Sequence, residues 1–157
     1  MQKEIEITYL IKDLTHVEEK LLGLGAVLTS TKILNRDIYQ DGGDYFFRVS
    51  EERANDKVSF YLTLKSDGNA NTVGKIKNAI ELEREFSKVQ IKTLINMIKL
   101  LGFKKTNSYQ KTRKTYKLLD CECCLDIMDN QTYLEIEFSD TKNLEKIVNN
   151  IKDYIIK

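Results

Sequence analysis

The sequence has no proline and no tryptophan, a single histidine and only three cysteines among 157 residues. One imidazole, His16, inside a helical pattern removes most Ser–His and Cys–His nucleophile schemes. A zinc site needs about four nitrogen or sulfur ligands at workable spacing, and Cys121, Cys123 and Cys124 lie far from His16. Three cysteines crowded into one segment also make a poor disulfide framework, so reduced thiols in or near a strand are expected. No apolar run approaches the ~20 residues of a membrane span. Lys and Arg number 25 against 24 Asp and Glu, a net charge of +1 that argues against general nucleic-acid binding. Gly42-Gly43 and Gly68 lack the downstream Gly-Lys-Ser/Thr of a Walker loop. Met1-Gln2-Lys3-Glu4 leads straight into a strand pattern, so no signal peptide and a cytoplasmic location are expected.

Charge is plentiful, at 31% of residues, and it stands in strands as often as on helices. Residues 4–9 alternate polar and apolar with the period of a strand. Thr15 followed by Glu18 reads as a capping box; Leu14, Val17, Leu21 and Leu24 then repeat at helical spacing until Gly25. Strand patterns follow at 33–39, 45–50 and 58–65, and the Gly/Asn/Lys-rich stretch 66–77 reads as a long loop that could close as a lid. A further strand at 80–86 precedes a second capping box, Ser87 with Gln90, and a helix bearing Ile91, Leu94, Ile98 and Leu101 before Gly102. Strand patterns recur at 109–118, 123–128 and 133–138; a last helix carries Leu144, Ile147, Val148, Ile151 and Ile155.

The two halves echo each other. Glu4 and Glu81, Glu6 and Glu83, Leu14 and Ile91, Leu21 and Ile98, Gly25 and Gly102, and Tyr39 and Tyr116 each stand 77 residues apart. Helical periodicity aligns some apolar pairs by chance, but not the acids and the stop glycines as well. A duplicated strand–helix–strands unit is expected, closing into one barrel within a single domain, 1–157, because each half is too small for a large core.

The strands carry ionic residues on one face. Glu4 and Glu6 oppose Ile5 and Ile7; Arg48 and Ser50 oppose Phe47 and Val49; Thr63 and Lys65 oppose Leu62 and Leu64. Glu81 and Glu83 share a face, as do Lys111 and Arg113, and Glu135 and Glu137; Asp126 opposes Leu125 and Ile127. A solvated sheet face would look the same. The amphipathic helices need an apolar sheet face to cover, which leaves the ionic face for water or for a barrel interior. Acids and bases are segregated onto different strands, and a polar lumen would set them opposite one another. Divalent cations on the carboxylates and a polyanion on the bases would compensate such burial.

The ordered motifs Glu4-Ile5-Glu6, Asp37-Ile38-Tyr39, Phe47-Arg48-Val49-Ser50, Leu62-Thr63-Leu64-Lys65, Glu81-Leu82-Glu83, Lys111-Thr112-Arg113 with Tyr116, Leu125-Asp126 and Glu135-Ile136-Glu137 resemble the CYTH superfamily of triphosphate tunnel proteins. Leu24-Gly25-Ala26 and Leu101-Gly102-Phe103 look most like its CyaB-type, class IV adenylyl cyclase branch. The resemblance implies an α+β fold, an eight-stranded antiparallel β-barrel with a polar tunnel, flanking helices and internal duplication. It implies Mg²⁺ or Mn²⁺ as cofactor, ATP or tripolyphosphate as partner, and a possible homodimer. Glu4, Glu6, Glu135 and Glu137 become the expected metal ligands, and Arg48, Lys65, Lys111 and Arg113 the phosphate contacts. Glu6 and Asp126 become the catalytic candidates, with Asp37, Tyr39, Glu81 and Glu83 lining the tunnel. Cyclisation to a cyclic nucleotide, hydrolysis of tripolyphosphate or thiamine triphosphate, and non-catalytic polyphosphate binding all remain open. Thr8, Ser50 and Ala79 stand where the family carries basic residues, and Arg36, Lys32 or Lys117 could fill in.

Overall fold

A computed structural model of the protein describes residues 2–66 and 73–156. The chain runs β1 (Gln2–Ile11), α1 (Leu14–Gly23), β2 (Val27–Gln40), β3 (Tyr45–Ala54), β4 (Lys57–Ser66), β5 (Ile76–Phe86), α2 (Lys88–Leu100), β6 (Lys104–Leu118), β7 (Cys121–Met128), β8 (Gln131–Glu137) and α3 (Thr141–Ile151), with a 3-10 turn at Lys152–Tyr154. The strands form a closed barrel in the order β1-β5-β4-β3-β2-β6-β7-β8, and β2 to β5, β6 to β8 and the β1–β8 pair are antiparallel. Each half contributes strand–helix–three strands, so the expected duplication stands in the element order. The ring order keeps it too: exchanging β1 with β5, β2 with β6, β3 with β7 and β4 with β8 returns the same ring.

The chain divides into two compact units that do not follow the repeat. One holds β3, β4, α2, β2 from Lys32, β5 from Asn78 and β6 up to Lys111, with the chain up to Glu4. The other holds α1, β7, β8, α3, β1 from Ile5 and β6 from Thr112, with the segment leading up to Lys77. In the first unit Ile91 and Ile98 of α2 pack on Tyr39, Val49, Phe47, Phe60 and Leu62. In the second, Val17 and Leu21 of α1 join Leu144, Ile147 and Ile151 of α3 on Ile7, Tyr116, Leu125, Leu134 and Ile136. Thus α1, from the first repeat, covers strands of the second, and α2 covers strands of the first. Each fully buried aliphatic side chain contributes roughly 1.5–3 kcal/mol, and neither repeat alone keeps its helix on its own sheet.

Helices α1 and α2 stop alike. Gly25 and Gly102 have φ of +94° and +96°, a conformation strained for any residue with a Cβ. In each case the next amide reaches back to the helix, Ala26 N to Leu21 O at 3.0 Å and Phe103 N to Ile98 O at 3.2 Å, closing Schellman motifs. The α2 start matches expectation: Gln90 N donates to Ser87 Oγ and Ser87 N to Gln90 Oε1. The α1 start does not. Asp13, not Thr15, is the N-cap, accepting from His16 N at 3.0 Å. Glu18 turns instead to Lys114 Nζ, at 2.8 and 2.9 Å, and to the Tyr116 hydroxyl.

Strands β2 and β6 begin earlier than their alternation suggested, and β5 begins at Ile76, inside the stretch read as a loop. The remainder of that expected lid, 67–72, lies outside the described residues. On β5 the apolar side is open: Ile80 and Leu82 are 40% and 43% exposed. Among the described residues no helix is long and apolar enough to cross a membrane.

Candidate functional site

In both units the strand face away from the helices carries the charge. Directly paired residues of neighbouring strands share a face, so the register assigns each side chain. In the first unit Arg48 pairs with Thr63, and Thr63 with Glu83; Lys65 pairs with Glu81. Arg48 Nη2 lies 3.1 Å from Glu81 Oε1 and 3.3 Å from Glu83 Oε2, and Thr63 Oγ1 donates to Glu83 Oε2 at 2.6 Å. Lys65 Nζ binds Glu4 Oε2 at 2.6 Å and lies 3.2 Å from Glu81 Oε2. Burial would raise the Glu81 carboxyl, but Arg48 and Lys65 outweigh it and hold it below its ordinary value. Lys32 Nζ binds Glu52 Oε2 at 2.8 Å on the same face. Lys111 is buried, 8% exposed.

In the second unit the centre is Arg113. Its Nε donates to Asp126 Oδ1 at 2.7 Å and its Nη2 to Asp126 Oδ2 at 2.6 Å, a bidentate grip; Nη2 also reaches Glu135 Oε1 at 3.0 Å. Burial works against the guanidinium's charge, yet Glu135 and Asp126 outweigh it and push its pKa up. Asp126 is 4% exposed, so this pair sits away from water. The register then places Glu135 opposite Thr8, and Glu137 opposite both Glu6 and Glu122. Glu6 is 7% exposed, with Lys77 Nζ at 3.9 Å from its Oε1.

Asp37 and Tyr39 leave the expected tunnel. They pair with Val49 and Phe47, which puts them on the helix-covered face of β2 and β3. Tyr39 is 3% exposed and belongs to the α2 core, where burial raises its hydroxyl pKa. Asp37 accepts from Ser108 Oγ and lies 3.5 Å from Lys105 Nζ, so it fastens the start of β6. Tyr116 likewise faces the helices and is held by Glu18. Lys77 went unread because it lay in loop-like composition; its place two residues before Ala79 on β5 is the signal that would have found it.

The cysteines lie inside the fold. All three are free and buried, and burial pushes their thiols up, Cys121 to about 11 and Cys123 and Cys124 to about 12. His16 is exposed, stacked on Tyr154 and bound to Asp13.

A divalent cation can be tested against the acids. Among the described residues no three His, Cys, Asp or Glu side chains are gathered as a ready-made metal cage. Mg²⁺ does not require one: it keeps several waters and binds through one or two carboxylates plus substrate phosphates. Glu6 and Glu137 are direct cross-strand partners, with Glu135 two residues along the same face, all hard oxygen donors. The donor chemistry fits Mg²⁺ or Mn²⁺.

A barrel with helices outside and ion-paired acids and bases on the opposite strand face defines a class of polar-interior β-barrels. The chain belongs to the CYTH family, whose domain model matches residues 2–154. No curated protein matches the sequence. Solved structures do. PH1012 protein from Pyrococcus horikoshii OT3 is 21% identical, with a TM-score of 0.74, covering 98% of this chain and 94% of that one. HpAC1 from Hippeastrum, described as an adenylyl cyclase candidate with a dominant triphosphatase activity, is 15% identical, with a TM-score of 0.69 over 96% and 87% of the two chains. A chain of the Schizosaccharomyces pombe Mediator head module is 8% identical, with a TM-score of 0.68 over 99% and 97%. At these identities the likeness is one of fold.

Proposed function

We propose that this chain binds a triphosphate with a divalent cation in the polar interior of its barrel and breaks a phosphoanhydride bond, as a CyaB-type cyclase or as a triphosphatase. The observation that carries this reading is the placing of buried Lys111 and of half-buried, ion-paired Arg48, Lys65 and Arg113 on the strand face opposite the helices, in a chain of the CYTH family. The dominant triphosphatase activity described for HpAC1 supports the hydrolytic outcome.

Arg48, Lys65, Lys111 and Arg113 bind phosphate oxygens, where charge spreads over the equatorial positions as the bond breaks. Glu6, Glu135 and Glu137 are the residues that would hold Mg²⁺ or Mn²⁺, which neutralises the phosphates and polarises the scissile bond. Glu4 is committed to Lys65 and orients that ammonium. Asp126 uses both oxygens on Arg113, so its role is to position the guanidinium rather than to touch the nucleophile. Glu81 and Glu83 do the same for Arg48.

The test is a turnover assay with ATP, tripolyphosphate and thiamine triphosphate, each with Mg²⁺ and with Mn²⁺. Cyclic AMP with pyrophosphate selects the cyclase, and orthophosphate the hydrolase. Glu135→Gln is expected to abolish turnover while the wild type remains active. The second reading, a non-catalytic binder, is favoured by Thr8, Ser50 and Ala79 at positions where the family is basic. Tight tripolyphosphate binding with no turnover of any substrate would select it and overturn the enzyme.

A further inference from the structure

We infer that Arg36 is a phosphate-binding residue of this barrel and supplies, from β2, the positive charge that Ser50 does not supply from β3. The inference rests on the triphosphate reading above.

Arg36 is the direct cross-strand partner of Ser50 in the β2–β3 register, so the two side chains share a face. That face also carries Arg48, whose partner on β2 is Ile38, two residues along from Arg36. Arg36 and Arg48 are therefore diagonal neighbours, ~7–8 Å apart at the backbone. Ser50 between them is fully buried, and its hydroxyl oxygen has no hydrogen-bond partner. Arg36 is 8% exposed, so its guanidinium is carried inward with the strand rather than displayed on the outside.

A guanidinium of that burial is chemically specific. It remains charged at any working pH, and its planar fork matches two oxygens of a phosphate. Arg48 on the same face is already held by Glu81 and Glu83, so a polyphosphate entering here would exchange carboxylate partners for phosphate oxygens. A polyphosphate chain offers oxygens to Arg36 and Arg48 in succession. The charge has moved across one strand pair while staying on the same face at the same level of the barrel.

The experiment measures tripolyphosphate binding with Mg²⁺ by titration calorimetry for the wild type, Arg36→Ser, Arg36→Lys and the exchange variant Arg36→Ser/Ser50→Arg. Thermal melting of each variant runs alongside. A charge-assisted contact of about 1.5–3 kcal/mol predicts roughly 10- to 150-fold weaker binding in Arg36→Ser. Arg36→Lys, which keeps the charge and loses the fork, is expected to fall between. The exchange variant is expected to recover binding to within about threefold of wild type, since the charge returns to the same face from the opposite strand. A merely structural arginine would not be rescued from position 50. Wild-type affinity in Arg36→Ser would overturn the inference. So would an exchange variant that melts like the wild type yet binds as weakly as Arg36→Ser. Should Arg36→Ser fail to fold, Arg36→Lys decides, and unchanged affinity there overturns the bidentate contact. Failure of the wild type itself to bind tripolyphosphate would instead overturn the triphosphate reading.

Discussion

Replacing Asp126 by asparagine removes one charge and almost no volume, so it isolates the electrostatic work of the Arg113 cluster. Asp126 accepts two N–H groups of Arg113 at 2.7 and 2.6 Å while 4% exposed. In Asp126→Asn the amide oxygen keeps one of these bonds, and the amide nitrogen points donors at a donor. Breaking a buried pair outright costs about 3–5 kcal/mol. Glu135 stays at 3.0 Å from Nη2 and continues to balance the guanidinium, which lowers the loss. The expectation is therefore about 2–3 kcal/mol, in the range of a charge-assisted hydrogen bond. For a chain of this length each kcal/mol moves the midpoint by roughly 2–4 °C, so Tm should fall by about 4–12 °C. Circular-dichroism melting at pH 7 reads this directly. Arg113→Met should be worse, because it leaves the Asp126 carboxylate buried without its bidentate partner. The double variant should be less damaged than the sum of the singles by at least about 1.5 kcal/mol. A Tm within 1 °C of wild type for Asp126→Asn, or singles that simply add, would refute the claim that this pair is a coupled buried unit.

Acid stability follows from Glu81 and Glu18. Burial opposes the Glu81 charge but Arg48 and Lys65 prevail, and the hydrogen bonds from Lys114 and Tyr116 lower Glu18, so both sit below the ordinary 4.5 when folded. The unfolded chain takes up those protons first; the stabilisation is complete above pH 4.5 and is lost as pH falls through and below it. Melting as a function of pH should show a shallower acid limb for Glu81→Gln than for the wild type, and parallel curves would contradict the assignment. The thiols give a third measurement. With Cys121, Cys123 and Cys124 buried and pushed up to about 11–12, iodoacetamide at pH 8 should leave the native protein unlabelled and modify all three after unfolding in guanidinium chloride. Rapid labelling of the native protein would mean that β7 opens.

Much of the barrel was legible because its signals are local. Period-two alternation marked the strands, Ser87 with Gln90 marked a helix start, and Gly25 and Gly102 marked two helix ends that the backbone realises as Schellman motifs. The misreadings share a cause: a long-range partner decided what local pattern left open. Alternation says which residues of β2 share a face, not which face turns inward. The inward face carries Leu34 and Ile38 beside Lys32 and Arg36, so its composition is mixed, and only the pairing of Asp37 with Val49 and Tyr39 with Phe47 puts those two under α2. Thr15 and Glu18 fit a capping box, but Lys114 and Tyr116, far along the chain, claim the Glu18 carboxylate, and Asp13 caps the helix two residues earlier. Lys77 was hidden because a Gly/Asn/Lys-rich stretch carries no period, although the strand has begun by Ile76.

The charge balance within each cluster bears on what can enter the barrel. The likeness to a chain of the Mediator head module at 8% identity is one of fold alone. Replacing a buried ion pair with apolar side chains is often neutral or stabilising, so Arg48, Lys65 and Arg113 are poorly explained as stability devices. In the first cluster two bases face three acids, Arg48 and Lys65 against Glu4, Glu81 and Glu83; in the second, Arg113 faces Asp126 and Glu135. On the proposed function, a bare triphosphate would have to draw the bases from these acids, whereas one arriving with divalent cations would let phosphates take the bases while the cations take the acids. Titrations of tripolyphosphate with and without Mg²⁺ therefore separate the two cases. Binding that is much tighter with the cation supports this exchange of partners, and equal binding in its absence would show that the acids play no part.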